Sequence, residues 1–198
     1  MRFVRSCKNK RKDRIKKSNW KAKRMEADEL IVIREIDIAE YPLLEEFLYR
    51  AIYLPPGVEF PAREIIYEPQ IYIYVENFGG EDDCGVVAEL DGKVIGAAWT
   101  RIIPGYGHID SETPELAISV LPEYRGKQVG TRMMARLFEL LTERGYKRTS
   151  LSVQKDNPAV RFYRRLGYVI ADERIDEPSH TDLLMVKDLI YPQSGQKA

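Results

Sequence analysis

Along this chain the spacing of apolar residues switches several times between a period of two and a period near 3.6, and each switch marks a new element. Residues 30–36, LIVIREI, form a short apolar run of strand type. The following AEYPLLEEFLYRAI places Leu44, Phe47, Leu48 and Ala51 at helical spacing. YLPPGVEFPAR is rich in proline and glycine and reads as a loop. EPQIYIYVENFGG carries two signals, a strand-like Ile/Tyr alternation and a proline, Pro69, suited to the first position of a short helix closing near Gly79; we read it as helix.

Residues 84–90 and 93–103 flank Asp91-Gly92, and a two-residue Asp-Gly link between apolar runs predicts a hairpin. GYGHIDSETP is a loop entering the strand ELAISV. Residues 129–144 predict a long helix with Val129, Met133, Leu137, Leu140 and Leu141 on one face and Gly145 as its stop. KRTSLSV is a strand, and NPAVRFYRRL is a helix with Asn157 as N-cap, Pro158 at its first position and Gly167 beyond its end. YVIADERI and HTDLLMVKDL close the series as strands. Alternation in the second half implies parallel pairing and the hairpin implies an antiparallel first half, so the expected fold is of the α/β class, a mixed β-sheet flanked by helices on both faces.

Composition changes this picture little, and charge changes it more. The 198 residues suffice for one core, and no apolar run approaches the roughly 18 residues of a membrane span. Two cysteines, Cys7 and Cys84, with His108 and His180, give neither a disulfide framework nor a metal-binding spacing, so no metal is expected and a reducing, cytoplasmic setting is. The net charge of zero hides an asymmetry: residues 1–24 carry twelve Lys/Arg against the single acid Asp13, leaving 19 basic and 30 acidic residues for the rest. Residues 1–27 are expected to be a basic, solvated extension, 28–190 the domain and 191–198 a tail. The extension is no signal peptide, and nucleic acid is expected as a partner only through it.

The chemistry lies in SVLPEYRGKQVGTR. A helix start leaves backbone N–H groups unpaired and carries partial positive charge, so a glycine turn there can hold a phosphate, with Arg125 and Lys127 adding full charges. Gly126 and Gly130 let oxygens approach the main chain and Thr131 offers a hydroxyl; an ordinary Arg-Gly turn is the competing reading. The stretch is neither a Walker A loop nor a full Rossmann fingerprint. Arg125 to Gly130 nonetheless resembles the pyrophosphate motif Arg/Gln-x-x-Gly-x-Gly/Ala of the GNAT superfamily of acetyl-CoA-dependent N-acetyltransferases, matching at Arg125 and Gly130. NPAVRFYRRLGY is similar to that family's second signature, with Asn157, Tyr163, Gly167 and Tyr168 in register. Gln128 stands where glycine is usual; if its backbone is helical with negative φ, the cost is at most a mild loss of affinity.

The resemblance covers roughly residues 30–188 and implies an enzyme, with acetyl-CoA as co-substrate and an amine as acceptor. It implies that main-chain groups of Ile118, Ser119 and Val120 pair with the pantetheine arm. Arg125, Gly126, Lys127, Gln128, Val129, Gly130 and Thr131 hold the pyrophosphate, and Asn157 touches the cofactor besides capping its helix. Tyr163 protonates the leaving thiolate, against a competing reading as a core tyrosine. A carboxylate takes the acceptor's proton: Glu115 first, with Glu112 and Asp110 behind it, although exposed strand-end glutamates are common. An N–H near Val120 meets the oxyanion. The acceptor pocket is expected from YLPPGVEF, the tyrosines of residues 67–74 and the loop before Glu115. A small-molecule amine is the leading acceptor and a homodimer is allowed for. A non-catalytic acyl-CoA-binding module, or a protein- or ribosome-directed acetyltransferase tethered by the basic extension, are the alternatives.

Overall fold

Asp91 and Gly92 take φ of 51° and 76°, the paired left-handed conformation of a tight hairpin turn, and so fold Cys84–Leu90 (β2) back on Lys93–Arg101 (β3). Around this hairpin the computed structural model describes residues 30–177 and 180–189. Val32–Glu35 (β1) pairs antiparallel with β2, and Glu115–Val120 (β4) pairs antiparallel with β3. Between β1 and β2 lie Leu43–Ala51 (α1), a 3-10 turn at Arg63–Tyr67 and Pro69–Tyr72 (α2). The second half runs Val129–Glu143 (α3), Arg148–Gln154 (β5), Ala159–Arg165 (α4), Val169–Glu177 (β6) and His180–Asp188 (β7). One seven-stranded sheet results, ordered β1-β2-β3-β4-β5-β7-β6. Pro69 opens α2 after an extended Glu68, as the sequence reading has it, but the helix is one turn and gives way to tight turns before Gly79. The boundaries expected at residues 27 and 190 lie outside the described residues, as do the basic extension and Cys7.

The sheet is covered on both faces, and each cover depends on a close approach. α3 buries Val129, Met133, Met134, Leu137, Leu140 and Leu141, each worth about 1.5–3 kcal/mol if fully removed from water. Met133 comes so near β3 that a Cβ on Gly96 would lie 3.1 Å from its Cε. On the opposite face the Trp99 indole N–H donates to the Tyr74 carbonyl at 2.8 Å and ties the segment after α2 to β3. Among the described residues no helix is long and apolar enough to cross a membrane.

The feature that shapes the site is the middle of the sheet. β4 and β5 are parallel neighbours, yet they pair at one position, Glu115 with Ser150, reinforced by the Ser150 N–H donating to the Pro114 carbonyl at 3.0 Å. Beyond it the strands part. On its other side β4 is fully paired with β3, and the Leu121 N–H donating to the Ile95 carbonyl at 2.9 Å fixes which pairs exchange hydrogen bonds. Because such pairs alternate along an antiparallel ladder, Ser119 is bonded to Ala97 while Ile118 and Val120 turn their N–H and C=O toward the gap.

Candidate functional site

Glu115 stands where β4 and β5 last touch. It is 2% exposed, so the reading of an exposed strand-end glutamate falls away. Its Oε1 accepts from the Tyr74 hydroxyl and from the Gly107 N–H at 2.6 Å, whereas its Oε2 is buried with no partner among the described residues. Burial pushes the carboxyl up from its ordinary value; the Tyr74 and Gly107 hydrogen bonds and the His108 and Arg174 charges pull the other way and do not cancel it. Tyr74 is driven far above the ordinary phenol value by burial first and by the Glu115 charge second, so it remains a donor. The loop that supplies Gly107 is itself clamped. Arg174 of β6 donates to the carbonyls of Tyr106 at 2.7 Å and His108 at 3.1 Å, and His108 Nδ1–H donates to Ile103 O at 2.9 Å.

The other two carboxylates are engaged elsewhere. Asp110 pairs with Arg148 at 2.5 Å and accepts the Glu112 N–H at 3.0 Å; the Thr113 hydroxyl, first among its partners, holds its carboxyl below the ordinary range. Glu112 is exposed. Of the expected acceptor-pocket tyrosines, Tyr67 and Tyr72 both donate to Glu45 on α1, each at 3.2 Å, and only Tyr74 reaches Glu115. From the proline-rich loop, the Tyr53 hydroxyl spans to the Asp156 carbonyl at 3.4 Å.

At the far end of β4 the chain passes a 3-10 turn, Pro122–Tyr124, into the glycine turn and α3. No side chain caps α3, and its first intrahelical bond is Arg132 N–H to Gln128 O at 3.0 Å, so the N–H groups of Val129, Gly130 and Thr131 have no helical acceptor. This fits an anion. Gly126 has φ of 73° and Gln128 has φ of 61°, so the condition set for Gln128 is not met: its backbone is left-handed, where a side chain is strained rather than merely tolerated. Arg125 curls back, its Nε donating to the Val120 carbonyl at 2.9 Å, and Lys127 Nζ lies 5.0 Å from the Tyr124 ring centre. The Ser119 main chain is spent on β3, which leaves Ile118 and Val120 of the expected trio free to meet an extended arm, although Val120 O already takes Arg125.

α4 enters through Asn157, whose Oδ1 accepts the Ala159 N–H at 2.8 Å, a cap that by itself accounts for the residue. Tyr163 is half-buried, 5.4 Å from the Phe162 ring and 5.8 Å from the Tyr168 ring, and burial alone pushes its phenol up to about 12. Phe162 also packs over the α3 start, where a Cβ on Gly130 would lie 3.4 Å from its Cζ. The sequence reading placed the tyrosines of residues 67–74 and the loop before Glu115 in the acceptor pocket, and what it missed is that the Tyr74 hydroxyl and the Gly107 N–H bind Glu115 itself. The paired glycines were the one visible trace of that bonding.

Comparison with known proteins gives the same arrangement a lineage. Mycothiol acetyltransferase of Arthrobacter sp. (strain FB24) is 31% identical over 90 residues, which are 44% of this chain and 28% of that protein, so the chain spans well under half of that relative. The ribosomal-protein-S18-alanine N-acetyltransferase of Escherichia coli superposes with a TM-score of 0.60 at 19% identity, over 85% of this chain and 98% of that one. The PaiA N-acetyltransferase of Thermoplasma acidophilum, in complex with coenzyme A, gives 0.56 at 22% identity over 80% and 98%. These two show the fold. The model of the acetyltransferase (GNAT) family matches residues 46–168, more than half of the 198 and inclusive of the parted strands, the glycine turn and Tyr163, and the chain therefore belongs to that family.

Proposed function

We propose that the protein is an acetyl-CoA-dependent N-acetyltransferase that carries the acetyl group to the primary amine of a small molecule by direct attack, with both substrates bound at once. One observation carries this reading. A strand edge is left open between a buried carboxylate at one end and an uncapped helix start at the other. The six residues of β4 set the two ends about 17 Å apart at 3.3–3.4 Å per residue, room for an extended thiol arm. Family membership and the coenzyme A held by a protein of the same fold support acetyl-CoA as the donor.

In this reading the N–H groups of Val129, Gly130 and Thr131, with Arg125 and Lys127, take the pyrophosphate, and Ile118 and Val120 take the arm as an added strand. Glu115 removes a proton from the acceptor ammonium. The freed nitrogen pair forms the C–N bond, the C–S bond breaks, and the departing sulfur takes the Tyr163 proton. The acetylated nitrogen passes its second proton through water to the Tyr163 phenolate, Glu115 gives its proton to solvent, and amide, free thiol and one proton are released. The raised carboxyl of Glu115 suits a base working near neutrality, and the raised phenol of Tyr163 keeps its proton until sulfur needs it. A small acceptor is favoured because Glu115 is deeply enclosed by Tyr74 and two glycines.

The test is release of free thiol from acetyl-CoA in the presence of spermidine, glucosamine or alanine amide. Amine-dependent release is expected, falling about tenfold to a thousandfold in Tyr163→Phe while the protein stays folded. Binding of acetyl-CoA with no release from any of them would instead favour a non-catalytic acyl-CoA-binding module.

A further inference from the structure

The two oxygens of Glu115 are not equivalent. Oε1 is saturated by the Tyr74 hydroxyl and the Gly107 N–H, while Oε2 is buried and bonded to nothing among the described residues. Tyr74 is in turn fixed, since its hydroxyl accepts the Tyr106 N–H at 2.9 Å and its carbonyl accepts the Trp99 indole. The space beside Oε2 admits no further side chain. A Cβ on Gly105 would stand 2.5 Å from Oε2 and 2.6 Å from the Tyr74 hydroxyl. Gly105 is not among the positive-φ glycines, so space rather than backbone conformation calls for glycine there. A Cβ on Gly107 would lie 2.8 Å from Oε1, so that glycine is what lets its own N–H come so close.

The other charged groups that face Glu115 are occupied. His108 gives its Nδ1–H to Ile103, and Arg174 of β6 gives its guanidinium to the Tyr106 and His108 carbonyls; both act on Glu115 through charge and not through a hydrogen bond. Resting on the reading of Glu115 as the base, we infer that Tyr74 is a positioning residue that, with Gly107, locks the carboxylate so that Oε2, the oxygen left without a donor, is the atom receiving the acceptor's proton. The step balances simply. The ammonium N–H bond breaks, an O–H bond forms at Oε2, and the electron pair stays on nitrogen for attack at the thioester carbon.

Removing the Tyr74 hydroxyl leaves Oε1 with one donor. The carboxylate then rotates more freely, and the loss of a bond to its charged form raises its proton affinity. In full-length Tyr74→Phe the titration of the Glu115 carboxyl, followed by carbon NMR and assigned by its disappearance in Glu115→Gln, is therefore expected to move to higher pH. The acid limb of kcat, measured with acetyl-CoA and whichever of spermidine, glucosamine and alanine amide turns over, should move the same way. kcat at neutral pH should fall about tenfold with KM for the amine nearly unchanged, against about a hundredfold or more in Glu115→Gln. Gly105→Ala, which crowds Oε2 and the Tyr74 hydroxyl together, should lose kcat at least as far as Tyr74→Phe does. A Tyr74→Phe titration and pH profile identical to wild type would overturn the positioning role, and a Gly105→Ala rate equal to wild type would overturn the assignment of Oε2. Full activity in Glu115→Gln would instead remove Glu115 as the base. Should none of the three amines turn over, the acetyl-transfer reading is what suffers, and the carboxyl titration still decides whether Tyr74 governs Glu115.

Discussion

Gln128 and Glu115 each pay a cost that the rest of the chain must carry, and both costs are measurable. Left-handed backbone at a residue with a side chain is strained by about 1 kcal/mol or more. Gln128→Gly removes that strain, though the greater freedom of glycine in the unfolded chain returns part of it. The expected net effect is a Tm higher by about 1–3 °C with acetyl-CoA affinity kept or improved, read by thermal denaturation and calorimetry. For Glu115 the sign follows from its raised folded value. Its contribution to stability is fully present below the ordinary value of 4.5 and is lost as pH rises through the folded value, because ionising a buried carboxyl costs the native state. Glu115→Gln cannot ionise. Urea denaturation from pH 4.5 to 8 should show the variant gaining on wild type as pH rises; a constant difference would mean the carboxyl is not raised at all.

At the scale of elements, the glycine turn and α3 act as one unit, since the helix supplies the N–H groups and Arg125 anchors the turn to Val120. Arg125→Glu places a negative charge beside the expected pyrophosphate and cuts that anchor. Acetyl-CoA binding should weaken at least about tenfold by calorimetry, and unchanged binding would sink the phosphate assignment. Most of these elements are legible in the sequence. The Asp91-Gly92 hairpin, the Val129–Leu141 face and the Asn157-Pro158 start follow from turn chemistry and period, which are local. The ambiguous stretch at Pro69 resolved to one helical turn begun by that proline, and not to a helix reaching Gly79. The left-handed Gln128 was not legible, because no local pattern marks a residue with that side chain for positive φ. The Glu115 cradle was legible only as a region, through the resemblance: Tyr74, Gly105 and Gly107 lie 41, 10 and 8 residues away along the chain, and nothing in their own neighbourhoods says which of them bond to Glu115.

For the whole molecule, the described sheet begins at Val32, and the twelve basic residues of positions 1–24 carry almost no periodic apolar pattern. A chain starting at Met25 should therefore fold, gain thermal stability from acetyl-CoA by mass action and acetylate amines as the full chain does. If the basic extension serves a nucleic acid, the full chain alone should shift RNA in a gel at low salt, with affinity falling steeply as salt rises. Failure of the shorter chain to fold would place the extension inside the structure.

The single contact between β4 and β5 also leaves a signature on individual amides. Ala117 and Ser119 give their N–H groups to β3, whereas Ile118 and Val120 face the gap. In deuterated water the free protein should therefore exchange protons along β4 with a period of two, fast at Ile118 and Val120 and slow at Ala117 and Ser119. Adding acetyl-CoA should erase that alternation by slowing only the fast pair, as a neighbouring strand would.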